Sequence, residues 1–156
     1  MSHAKTDTLK RRHQAVRATL AEQNLDALVV TSLPNILYLT NFTGSSAIVI
    51  LTADRLELLT DFRYVTAVRE LQRDGAALEL TTVEGSYDAM LVARLAALPG
   101  ARVGIESAHL TVARHLWITT TLARAAHGRP GRGSACAADG DAGRAVAVIA
   151  RRSRPR

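Results

Sequence analysis

A single cysteine, Cys136, stands in the 156 residues of this chain. One thiol forms no intrachain disulfide, so the fold must rest on its core, as expected in a reducing compartment. Aromatic residues amount to 4%, which leaves Leu, Val, Ile and Ala to fill that core. No apolar run approaches the roughly 18 residues that read as a membrane-spanning helix. The amino-terminal stretch MSHAKTDTLKRRHQ has basic residues with no apolar run behind them, so no secretory signal is legible. Neither GxxxxGK nor GxGxxG occurs, which removes the common phosphate-cradling loops. Together these absences predict a cytoplasmic protein without a membrane partner.

Hydrophobic residues make up 47% of the chain, enough for one globular domain with its own core. The net charge of +6 is unevenly placed. Residues 1–123 carry 12 Lys+Arg against 12 Asp+Glu, whereas 124–156 carry 8 arginines and 2 aspartates. From Arg124 onward, 24 of 33 residues are Ala, Arg, Gly or Pro, and Leu, Glu, Lys and aromatics are absent. This shift sets an expected boundary between a folded unit over 1–123 and an Ala/Arg/Gly-rich, disordered tail over 124–156. Only Ala145 to Ala150 has the makings of a strand or helical turn. A G+C-rich gene read out of frame gives such a composition, so a frameshift origin is the expectation for the tail. Eight arginines could instead neutralise phosphates, the alternative of a weak nucleic-acid-binding protein. No aromatic is interleaved among them for stacking on bases, so no specific nucleic acid is expected.

Along the chain, Asp7 is placed to cap a first helix with Leu9, Val16 and Leu20 on one face. Asn24 suits its left-handed end. Leu28, Val29 and Val30 form a run long enough for a buried strand and too short for a helix. Pro34 breaks that run. Helical spacing then covers Asn35 to Phe42, with Ile36 and Leu39 on one stripe and Tyr38 and Phe42 on another. Thr43 to Ser46 is a turn. Strands follow over Ala47 to Leu51 and Arg55 to Thr60, hinged at Thr52-Ala53-Asp54. Asp61 sits at an N-cap before Tyr64, Val65, Val68 and Leu71. A fourth strand spans Ala77 to Val83, and Ser86 caps a helix with Leu91, Val92, Leu95 and Leu98 inward. Arg102 to Glu106 is a fifth strand. Thr111 to Leu122 is a last helix with stripes of Val112, Leu116 and of Ala113, Trp117. The alternation predicts an α/β domain: a mixed sheet of about five to six strands flanked by helices.

The segment Asn35-Ile36-Leu37-Tyr38-Leu39-Thr40-Asn41-Phe42-Thr43-Gly44-Ser45, followed by Thr60-Asp61-Phe62-Arg63-Tyr64, resembles the amino-terminal domain of the aminopeptidase P, prolidase and creatinase family. Asn41 departs from the glycine usual there. The resemblance runs from about Leu9 to Leu122. It implies a non-catalytic domain of an Xaa-Pro peptidase, cut short before the catalytic domain. It also implies that two divalent ions (Mn, Co or Zn), held by Asp, Asp, His, Glu and Glu, belong to that other domain; creatinase itself needs none. On the same grounds, loops of this domain narrow the cleft of a partner subunit for proline-containing peptides. Here those loops are Leu33 to Asn35 and Phe42 to Ser46, which makes Pro34, Asn35, Tyr38, Phe42 and Ser45 the candidate substrate-proximal residues. Asp61, Arg63 and Tyr64 carry the second half of the motif.

Bland readings stand beside these. Asp61 serves as a cap and Arg63 as the partner of a nearby carboxylate or carbonyl; Tyr38 and Phe42 pack into the core. Ser45 and Ser46 after Gly44 lack a legible His and Asp, so a nucleophile is not expected. His3, His13, His109, His115 and His127 lack the i, i+4 pairing of a metal-binding helix face, so no metal site and no catalytic residue is assigned. The expected partners are a second copy of the chain or a peptidase catalytic domain, and a stand-alone interaction module is a further alternative.

Overall fold

The structure, a computed structural model, describes residues 3–98, 100–127 and 146–149. Helices α1 (Thr6–Glu22), α2 (Leu33–Thr40), α3 (Val65–Arg73), α4 (Tyr87–Ala96) and α5 (Val112–His127) surround six strands. These are β1 (Ala27–Val30), β2 (Ile48–Thr52), β3 (Leu56–Thr60), β4 (Glu79–Thr82), β5 (Val103–Glu106) and β6 (Val146–Ile149). The sheet order is β4-β3-β2-β1-β5-β6. β2 runs antiparallel to both neighbours, while β3–β4, β1–β5 and β5–β6 are parallel. The expected mixed α/β sheet is therefore present. Every strand but β2 points the same way, so one end of the sheet collects nearly all the carboxyl ends.

Period-2 alternation divides the core between the two faces. Val30, Val49, Leu51, Leu56 and Leu58 face a cluster with Leu20, Ile36, Leu39, Val68 and Leu71 from α1, α2 and α3. Val29, Ile48, Ile50, Leu59 and Ile105 face Leu91, Leu95, Ile118 and Leu122 from α4 and α5. Continuous apolar runs such as Ile48 to Leu51 are what a strand covered on both faces requires. One charge enters this second face. Glu57 on β3 is 5% exposed. Its carboxylate pairs with Arg94 Nη2 of α4 at 2.5 Å and accepts from the Thr81 hydroxyl of β4.

Several local expectations need correction. Lys5, not Asp7, occupies the N-cap of α1, and Asp7 lies in its first turn. Pro34, expected to break the first strand, lies beyond its end at Val30 and is the second residue of α2, where the missing N–H of an early helical position is harmless. The stretch after Asp61 begins as a 3-10 turn, Phe62–Tyr64, before α3. On α5 the buried residues are Ile118 and Leu122, while Val112, Leu116 and Trp117 face solvent. The expected boundary at 123/124 falls inside α5, which continues to His127. Val146–Ile149, in the stretch read as able to form a strand, pairs with β5. Residues 128–145 and 150–156 of the tail, with Cys136, lie outside the described residues. Among the described residues no helix is long and apolar enough to cross a membrane.

Candidate functional site

The carboxyl ends of β1, β3, β4 and β5 lie at one end of the sheet, together with the start of β2. In open sheets of this kind ligands settle outside those carboxyl ends. The residues singled out from the sequence come from three segments at this end: the β1–α2 loop with α2, the α2–β2 loop, and the turn after β3.

The first segment is fixed by a residue that sequence reading placed only in a strand. Glu106, the last residue of β5, accepts from the backbone N–H of Thr31 at 2.7 Å and of Ser32 at 2.9 Å. It also accepts from the Asn35 side-chain amide. Its carboxylate thus anchors the two residues that lead into α2 and the side chain of its third residue, while Ser32 at the N-cap makes no side-chain cap bond. Asn35 is turned inward and engaged, while Pro34 and Tyr38 stand on the outside. Tyr38 is 50% exposed. The Arg12 guanidinium of α1 stacks 3.9 Å from its ring centroid and donates to the Tyr38 carbonyl at 2.6 Å. Arg12, Pro34, Leu37, Tyr38, Asn41 and Thr43 border an open groove of about 470 Å³.

Asn41 explains the departure from glycine. It ends α2 in the left-handed conformation, φ 63°, which glycine adopts freely and asparagine tolerates. Its amide then does what glycine lacks the atoms to do. Oδ1 accepts from Ala4 N at 3.0 Å and Nδ2 donates to Ala4 O at 2.9 Å, clamping the amino-terminal segment to α2. Asn41→Gly should keep the backbone path and release the segment, at about 1 kcal/mol of global stability. Asn41→Ala should cost more, because it adds left-handed strain of about 1–2 kcal/mol. Denaturant unfolding of both variants checks this order, and an alanine variant as stable as the glycine one would contradict it.

In the second segment Phe42 is buried in the core and meets Tyr64 edge-on, with ring centroids 5.4 Å apart. A Cβ on Gly44 would lie 2.9 Å from Tyr64 Cδ1 and closer still to the Phe42 ring. Glycine is required there by this ring pair. Ser45 is exposed, and its hydroxyl lies 2.8 Å from the Tyr64 hydroxyl. That bond pulls the Tyr64 phenol below its usual range.

In the third segment Asp61 accepts from Arg63 N and pairs with the Arg63 guanidinium through both oxygens, each at 2.8 Å. Tyr87, from the start of α4, donates its hydroxyl to Asp61 Oδ2 at 2.8 Å and accepts from Asp61 N at 3.0 Å. The Arg63 hydrogen bond first, then that of Tyr87, holds the Asp61 carboxyl well below the ordinary carboxylate range. Burial pushes the Tyr87 phenol up. The cap and ion-pair reading of Asp61 and Arg63 matches this geometry. Arg63 keeps a half-exposed guanidinium with donors to spare.

Three groups give the domain an acid response: His13, Asp61 and Asp54, whose carboxyl the Thr52 hydroxyl holds below its ordinary value. His13 of α1 donates Nε2–H to the Leu39 carbonyl at 2.7 Å, and burial lowers its pKa. As pH falls below about 6.5 the unfolded chain protonates this histidine before the folded one does, so stability declines. Asp61, also depressed, contributes stability that is complete above about pH 4 and is lost below it. Urea midpoints should therefore fall in two acid steps. Asp61→Asn should shrink the lower step to the part that Asp54 contributes and leave the upper one; a lower step of unchanged size would refute the assignment.

Glu106 and Tyr87 were not singled out from the sequence, and Arg12 reads there only as part of a solvated helix face with Lys10 and Arg11. Each acts across 26 or more positions, so no local pattern announces them. Among the described residues no three of His, Cys, Asp or Glu come together to hold a metal ion. The described residues thus do not fit a pair of divalent ions.

The chain matches the Creatinase/Prolidase N-terminal domain family over residues 12–128. It is similar to the N-terminal, creatinase/prolidase-like domain of a candidate metallopeptidase from Corynebacterium diphtheriae. That match has 31% identity, covers 75% of this chain and 87% of that one, and has a TM-score of 0.61. It is equally similar in sequence, at 31%, to the N-terminal domain of the cytoplasmic peptidase PepQ from Mycobacterium tuberculosis H37Rv. There the match covers 82% and 88% of the two chains with a TM-score of 0.58. Over 77 residues it is 29% identical to the uncharacterized peptidase YqhT of Bacillus subtilis. That stretch is 46% of this chain and 22% of the Bacillus protein.

Proposed function

Because the chain belongs to the creatinase/prolidase N-terminal domain family, we propose that it works as the non-catalytic N-terminal domain of an Xaa-Pro peptidase. In this role it shapes the substrate cleft beside a catalytic domain and supports dimerisation. The observation that carries the reading is the surface at the carboxyl end of the sheet. Leu33 and Tyr38 on α2, Phe62 in the turn after β3 and Val112 at the start of α5 are large apolar side chains exposed on the elements that follow β1, β3 and β5. Phe62 is 78% exposed and Val112 76%. Apolar side chains in water favour association with a covering surface. Pro34, Tyr38 and Ser45 stand on the outside of the same loops, where a peptide in a neighbouring cleft would meet them. Asn35 and Phe42 support those loops from within. Metal ions, on this reading, belong with the catalytic domain.

Two measurements test the proposal. The purified chain, assayed on an Xaa-Pro dipeptide and an Xaa-Pro-Yaa peptide with added manganese or cobalt, should show no turnover. Hydrolysis would overturn the non-catalytic role. Light scattering should show a species larger than a monomer, and a monodisperse monomer would overturn the dimerisation role.

A further inference from the structure

Two buried side-chain polar atoms, Thr31 Oγ1 and His115 Nε2, have no hydrogen-bond partner among the described residues. Both residues line one small cavity, of about 20 Å³, between the sheet, α4 and α5. Its remaining wall is largely apolar, including Leu91, Ile105 and Ile118. Two other polar residues reach it. Thr119 bonds to the carbonyls of its own helix at His115 and Leu116. Glu106 accepts three hydrogen bonds, from Thr31 N, Ser32 N and Asn35, whereas a carboxylate offers about four acceptor sites.

We infer that this cavity is the site of a single structural water, which bridges Thr31 Oγ1, His115 Nε2 and the remaining acceptor site of Glu106. Size and chemistry both select it. A water needs at least about 10–15 Å³ of such volume and two to four polar partners. The space suffices for one water and is too small for a substrate or a hydrated ion. An apolar cavity of this size would stay dry, but two unpartnered polar atoms on the residues that line it make hydration favourable. A water both donates and accepts twice, so it suits either tautomer of His115. The bridge ties α5 to the β1–α2 loop, adding a second fastening to the one Glu106 makes directly.

Variants of the full chain separate this from two independently unsatisfied atoms. With a shared water, Thr31→Val and His115→Leu each strip a partner from it, so each should lower the Tm. The double variant should recover much of the loss, since removing both polar partners removes the need for the bridge. If the atoms are separately unsatisfied, each single change raises the Tm or leaves it unchanged and the effects add, which would overturn the inference. Should a variant fail to fold, a high-resolution crystal structure of the unaltered chain decides. Density for a water within hydrogen-bond distance of both atoms is expected, and an empty cavity would refute it.

Discussion

Glu106→Ala is expected to lower stability by about 2–4 kcal/mol and to loosen the 31–35 loop more than any other part of the fold. The carboxylate serves three donors, the amides of Thr31 and Ser32 just before α2 and the Asn35 side chain within it. Each hydrogen bond to a charged acceptor is worth about 1.5–3 kcal/mol, and the negative charge also faces the positive end of the α2 dipole. The simple sum is not reached because the site is half-buried and water can take over part of the bonding. Glu106→Gln is no remedy. Its carbonyl can serve one side of the donor set, but its NH₂ faces donors on the other. Urea unfolding gives the global loss, and hydrogen exchange at the Thr31 and Ser32 amides gives the local one. A loss below about 0.5 kcal/mol, or unchanged protection at those two amides, would show that α2 does not depend on Glu106. The consequence reaches the proposed role, because Pro34 and Tyr38 ride on the helix whose lead-in this carboxylate anchors.

Glu106 also shows where sequence reading stops. The strand Val103–Glu106 was legible from its alternation, yet the partner of its last side chain was not. That partner exists only because β5 lies parallel beside β1, and the bonded residues are some 75 positions apart. The central strands were legible for the opposite reason: their apolar runs are short and continuous, and Asp54 hinges two of them within a few residues. On α5 the periodicity was present but ambiguous. Val112 and Leu116 are spaced four apart, and so are Ile118 and Leu122. Spacing alone does not say which stripe meets the sheet, and packing against α4 chose the second. Of the motif residues, Asp61 did what its N-cap position implied. Phe42 and Tyr38 went separate ways, one into the core and one to the groove, although they share a helical stripe. The left-handed turn at Asn41 carries Phe42 off the axis of α2 and under Tyr64.

The buried pair on the opposite face should respond asymmetrically. Arg94→Ala is expected to cost about 2–3 kcal/mol, whereas Glu57→Leu should cost far less. The reason is where each charge is left. The Arg94 side chain is 39% exposed and that of Glu57 only 6%. Without Glu57, the arginine swings into water and keeps its hydration. Without Arg94, a carboxylate remains inside the sheet's covered face, where an unpaired ion costs several kcal/mol. Thr81 still donates to it, and a neighbouring cavity of about 140 Å³ bordered by Arg55 admits solvent, so the loss stays below the 3–5 kcal/mol typical of a broken buried pair. The register partner Glu79 adds a like charge on the adjoining strand, which works in the other direction. Combining Arg94→Met with Glu57→Leu should restore most of the stability lost by Arg94→Ala, since an apolar pair of similar volume removes the stranded charge. Urea midpoints for the three proteins decide the matter. Equal losses for the two single variants would mean that the pair is worth only its Coulomb attraction, and that burial of Glu57 carries no separate penalty.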